Sequence, residues 1–241
     1  MAHCTLPARR NAHLYQAYKS WISSPIFLSR LSTDIFWVPI SQTINPLIIS
    51  LMETARGPTR PETQISEADS YVHLSQVHNY WGLLSSRLQE SIVVERRSLD
   101  SFHNLLFSLT KFYEATGFWP EHVTIMSNEF KRARFLELHC KALDWPADRV
   151  TFVGIDPEYM SRDLERAVSV RDGERRNGFD PWQRDMLGWG EELEAKRKRR
   201  NPWLVKQTLF ESDDIRGKSG VHYSILDHRE VLDGKPQPWG K

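Results

Sequence analysis

The spacing of hydrophobic positions changes several times along the chain. Between Ser98 and Gly117, the residues Phe102, Leu105, Leu106, Leu109, Phe112 and Tyr113 recur three and four apart. This predicts an amphipathic helix that Gly117 can close in a left-handed turn. "SEADSYVHLSQVHNYWGLL" has similar helix chemistry, with Ser66 as N-cap and Glu67 and Asp69 at the positive end of the helix dipole. "EFKRARFLELHCKAL" predicts a third helix, apolar over most of its circumference. Short β-branched runs, "SIVVE", "HVTIMS" and "RVTFVGI", alternate with these helices and read as strands. Residues 12–31 read as a helix and residues 35–50 as strand or irregular apolar chain.

Helix and strand thus alternate with a spacing of about 25–30 residues per unit, as right-handed βαβ units require. The fold class expected is α/β, a parallel sheet with helices on both faces. After Pro157 the composition shifts. Residues 158–200 are charged and helical and end in "KRKRR" (Lys196 to Arg200), whereas residues 201–241 form an irregular, Trp-rich tail. Three segments follow: 1–53 as an N-terminal segment, 54–160 as the α/β core, and 161–241 as an extension packing on that core. Trp182, Trp189, Trp203 and Trp239 are candidates to dock on the core or on a partner.

Composition narrows the classes. The 241 residues, 40% of them hydrophobic, suit one globular domain or one domain with an added segment. A formal charge of +1 gives no global field toward nucleic acid or membrane. The two cysteines, Cys4 and Cys140, form neither a disulfide framework nor a CxxC site. Pro39 and Pro46 break the best apolar stretch, Ile35 to Met52, so no membrane span is expected. The first residues hold no compact apolar run, which argues against a secretory signal. A cytoplasmic location is the expectation. Two alternatives have a motive: residues 1–33 carry Arg9, Arg10, Lys19 and Arg30 with no acid before Asp34, as mitochondrial presequences do, and the basic run fits a nuclear signal or a phosphate patch. Glu191, Glu192 and Glu194 precede that run and favour a solvated charged helix over nucleic-acid binding.

Ligands of open α/β sheets sit beyond the carboxyl ends of the strands. Polar clusters fall at these ends: Glu95 to Ser98, Ser127 to Glu129, and Asp156. Asn104 lies in the second turn of its helix, off the apolar stripe, and shares a face with Asp100. An amide there is gratuitous for helix formation and suits an anion or ribose site. Lys131 sits in the first turn of the next helix, where it opposes the dipole unless an anion is also present. Arg134 is expected to pair with Glu137 at i,i+3. No GxSxG, HExxH, P-loop or GxGxxG is present, so no catalytic residue is assigned. His73 with His78, and His139 with Cys140, lack the spacing or further ligands of a metal site.

"PETQISEADSY", "VVERRSLDSFHNLLFSL", "VTIMSNEFKRARF" and "FVGIDP" together resemble the YdcF- and SanA-like domain of unknown function, in its fungal branch, over roughly residues 57–160; "RNPW" extends the likeness. The resemblance implies a Rossmann-like three-layer fold with a pocket over the strand ends. It also implies a nucleotide-like ligand, with S-adenosylmethionine as one candidate. Carried over residue by residue, the site comprises Glu67, Glu95, Asn104, Lys131 and Arg134. Two departures matter. Bacterial relatives commonly have His where this chain has Lys131, which removes a group titrating near neutrality and with it the motive for general-base catalysis there. The family's "SGG" turn is replaced by "LMETARGPTRPE", with only Gly57 left, so a backbone anion cradle is not expected. Residues 1–53 do not resemble the family's opening and are expected to pack less well than the centre.

Overall fold

A computed structural model describes residues 65–82, 84–226 and 229–240, together with two backbone strands, β1 (Ile35–Val38) and β2 (Ile48–Leu51). The expected helix at residues 12–31 and the Arg56–Thr63 loop lie outside the described residues. The chain is helix-rich. After α1 (Glu67–Val77) and the short α2 (Ser86–Glu90) comes α3 (Ser101–Thr116). The strand β3 (Val123–Ser127) leads into α4 (129–142), and β4 (Val150–Gly154) follows. The C-terminal part holds α5 (Tyr159–Arg162), α6 (Leu164–Glu174), α7 (Asp180–Arg184), α8 (Glu191–Arg199) and α9 (Asp213–Ser219), then a hairpin of β5 (Tyr223–Leu226) and β6 (Arg229–Leu232).

The caps follow local chemistry. The Ser66 hydroxyl accepts the Asp69 N–H at 3.0 Å and starts α1. Asp100 does the same for α3, accepting the His103 N–H at 2.8 Å. Gly117 ends α3 with φ of 76°, a conformation that favours glycine.

The expected three-layer parallel sheet is not what forms. The main sheet runs β2-β1-β3-β4, and only β3 and β4 pair in parallel, with Val123 opposite Val150 and Ser127 opposite Gly154. β1 is antiparallel to both β2 and β3, and the second sheet is the antiparallel β5–β6 pair. "SIVV" makes no strand: residues 92–99 carry no regular secondary structure and pair with no described strand. Ile92 and Val94 instead pack with Tyr71, Val72 and Leu74 of α1 in a satellite apolar cluster. A β-branched run satisfies strand propensity wherever the backbone is extended, and propensity alone does not supply a neighbour.

Alternation along β3 divides the interior. Val123 and Ile125 face the main core, while Met126 faces the satellite cluster with Ala68. The main core draws on Phe102, Leu105, Leu106 and Leu109 of α3, Phe135 and Leu138 of α4, and Trp182, Leu193, Leu209, Phe210, Leu232 and Trp239 from the C-terminal part. Residues 161–241 therefore share one apolar interior with the preceding segment.

Candidate anion-binding site

α4 is not one regular helix. It starts as a 3₁₀ turn (Glu129–Lys131), widens into a π turn (Arg134–His139) and closes as α (Cys140–Ala142). A second π turn (Arg175–Phe179) joins α6 to α7. Such turns recur at functional sites because each redirects the side chains around an inserted residue. Both flank one cavity of about 500 Å³.

One wall of this cavity comes from Asp100, Ser101 and Asn104 at the start of α3 and from Phe130, Lys131 and Arg134 just beyond β3. The other comes from the C-terminal part: Glu174, Asn177, Gly178 and Trp182, then Leu193, Lys196 and Arg200. Four cations, Lys131, Arg134, Lys196 and Arg200, face two carboxylates, Asp100 and Glu174. Both carboxylates have partners. The Asp100 Oδ2 accepts from Arg197 Nη1 at 2.9 Å, and Glu174 pairs with Arg134 at 2.9 Å. Arg197 is buried and also donates to the Gly188 carbonyl.

Asn104 is the unusual member. It is 1% exposed, and its Oδ1 accepts no hydrogen bond. Its backbone is fully used: the N–H donates to Asp100 and the carbonyl accepts from the Ser108 hydroxyl. A buried acceptor without a donor costs about 1–3 kcal/mol, so one that lines a polar cavity marks a place for a ligand donor.

Three groups around it are displaced in pKa. Burial pushes the Asp100 carboxyl up, but His103 and the Arg197 guanidinium more than reverse this and hold it well below the usual carboxylate range. Burial lowers His103 to about 4 against the opposing pull of Asp100. His139 is held well below its ordinary value by burial and by Arg134. His139 Nε2 lies 2.8 Å from the Ser101 hydroxyl and ties α4 to the first turn of α3.

The residues expected at the site separate into three sets. Asn104, Lys131 and Arg134 meet on this cavity. Lys131 is buried at 7% exposure, and its ammonium lies 5.9 Å from the Phe130 ring centroid. Arg134 pairs with Glu174, not with Glu137, because the π turn and the neighbouring helix α6 offer a closer carboxylate. Glu95 is not among the lining residues. Its carboxylate accepts the Arg97 N–H at 2.7 Å and the Ser98 N–H at 3.1 Å, which fixes the turn before α3. Glu67 is the first residue of α1, and its side chain lies outside the described residues. Asp156, at the end of β4, receives the Phe130 N–H at 3.3 Å and so holds the loop that presents Lys131.

Lys196 and Arg200 are the site residues that the sequence reading did not assign. The "KRKRR" run is committed internally: Arg197 to Asp100, Lys198 to Glu194 at 2.8 Å, Lys196 to Glu192 at 3.1 Å, and Arg200 to the Leu99 carbonyl at 3.2 Å. The sign of its orientation was in the spacing, since Leu193, Lys196, Arg197 and Arg200 fall at i, i+3, i+4 and i+7 on one helix face. Among the described residues no group of three or more His, Cys, Asp or Glu is placed to hold a metal. No described helix is long and apolar enough to cross a membrane.

Comparison with known proteins finds a relative in yeast. The uncharacterized protein YOR238W of Saccharomyces cerevisiae is 33% identical over 163 residues, which is 62% of this chain and 52% of that protein. The chain thus spans about half the length of the curated relative it matches. No protein-family profile and no solved structure matches the chain.

Proposed function

We propose that this chain binds an anionic, nucleotide-like small molecule in the cavity between α3, α4, α6 and α8. The observation that carries the reading is Asn104, a buried amide with an unused acceptor, set in a lining with more cations than carboxylates. Its volume of about 500 Å³ is in the range that small-molecule sites occupy. The YdcF- and SanA-like relationship belongs to the same proposal. What supports it is the meeting of Asn104, Lys131 and Arg134 on one cavity; the sheet is unlike what the family implies. S-adenosylmethionine ranks below phosphate-bearing ligands, because its sulfonium is repelled by the cationic lining.

Isothermal titration at low salt with AMP, ADP, S-adenosylmethionine and inorganic phosphate is the test. A phosphate-bearing compound should bind, and Lys131→Ala should weaken it by about 1–3 kcal/mol, the range for a charge-assisted hydrogen bond. Absence of binding by all four, or equal affinities of wild type and Lys131→Ala, would reject the reading.

A further inference from the structure

One edge of the cavity differs from the rest of its lining. Asp100, Ser101 and Asn104, the cap and first turns of α3, all reach it. Ser101 and Asn104 are three apart on the helix, so their β-carbons lie about 5–6 Å from each other on one face. A carboxylate, a hydroxyl and an amide thus stand side by side on a single element, with no cation among them.

This edge does not suit a phosphate. Asp100 stays ionised despite its burial, held so by His103 and Arg197, and it repels a second anion. Ser101 lies 2.8 Å from His139 Nε2. Burial and Arg134 keep that imidazole neutral, so one bond fixes the hydroxyl while a hydroxyl has capacity for more. Asn104 brings a buried Oδ1 that accepts nothing. The complement of an acceptor, an amide and a hydroxyl is an uncharged group that both donates and accepts. A hydroxyl does this, whereas an ionised phosphoryl or carboxylate oxygen only accepts and an ammonium only donates.

Resting on the proposed anion-binding function, we infer that the α3 edge of the cavity is a sugar-hydroxyl subsite, in which Asn104 accepts from a hydroxyl of the ligand beside Ser101. The subsite sets which anions the cavity takes: those whose charge is carried on a hydroxylated sugar. His139 acts through Ser101 as a positioning residue and does not itself reach the ligand.

The test compares ADP with 2′,3′-dideoxy-ADP, which has the same charge and base, on the full-length chain, with inorganic phosphate as a third probe and thermal unfolding to verify that each variant is folded. Wild type should bind ADP roughly tenfold or more tightly than the dideoxy compound, because a site built to bond a hydroxyl rejects the analogue that lacks it. Asn104→Ala should remove most of that difference by weakening ADP alone, and Ser101→Ala should reduce it. Lys131→Ala should weaken both nucleotides and keep their ratio. If wild type binds the two nucleotides equally, if only inorganic phosphate binds, or if Asn104→Ala and Ser101→Ala both leave the ratio unchanged, the hydroxyl subsite is overturned and anion binding stands. If none of the three probes binds to wild type, both fall.

Discussion

Asn104 has a side chain that its helix does not need and its interior does not satisfy. Asn104→Ala removes the unpaired acceptor and leaves only a small void, two effects of opposite sign, each about 1 kcal/mol or more. Folding stability should therefore change by less than about 1 kcal/mol, while ADP affinity falls. Urea unfolding and calorimetric titration of the same variant decide this. A large stability loss with unchanged affinity would make Asn104 a packing residue. In the sequence, Asn104 was legible as an amide off the apolar stripe, and Lys131 as a cation at an unfavourable helix end. Their burial was not, because a helical wheel shows which face is polar and not what covers it. Glu95 misled for a related reason: a carboxylate at the end of a β-branched run reads as a cleft residue, yet two N–H groups of its own loop take it.

At the scale of elements, His139 of α4 is tied to Ser101 of α3, and protonation of this buried histidine and of His103 in α3 opposes folding. His103 is lowered to about 4 by burial, opposed by Asp100 and aided by Arg197 and Arg229. His139 is held well below its ordinary value by burial and by Arg134, with Asp100 opposing. For both, the unfolded chain takes up a proton near pH 6.5 and the folded chain does not. Stability is thus full above that pH and declines as pH falls from about 6.5 toward about 4, by up to about 1.4 kcal/mol per pH unit for each histidine. Urea midpoints between pH 7.5 and 4.5 should show the decline, and His139→Gln, which keeps a hydrogen-bonding group near Ser101, should make it shallower. A midpoint independent of pH across this window would contradict the argument. The elements themselves were unevenly legible. β3, β4, α1 and α3 were marked by period, caps and Gly117. The parallel sheet was not, since a β-branched run such as "SIVV" carries no mark of its partner, and no local spacing distinguishes an α turn from the π turn that carries Arg134 to Glu174.

For the whole molecule, the decisive feature is that the C-terminal part belongs to the core. Trp239, followed by only two residues in the sequence, is 1% exposed. Its indole N–H donates to the Leu143 carbonyl at 2.6 Å, and its ring lies 4.8 Å from Trp119 and 6.3 Å from Trp145. Arg149 reinforces the closure by donating to the Trp239 carbonyl at 2.8 Å and to the Pro120 carbonyl at 2.9 Å. The tail thus seals the end of the main core between α4 and the loop before β3. Trp239→Ala removes a large buried side chain and leaves the Leu143 carbonyl without its donor, so it should destabilise the fold by about 3–5 kcal/mol. Trp189 is the matched control: it is 41% exposed, and its replacement by alanine should shift stability by about 0.5 kcal/mol or less. Equilibrium denaturation of the two variants separates a tail that completes the core from one that merely rests on it. Equal midpoints for Trp239→Ala and Trp189→Ala would mean that the core closes without the tail. The cavity wall that carries Lys196 and Arg200 would then have to be held by α8 and the Arg197–Asp100 pair alone.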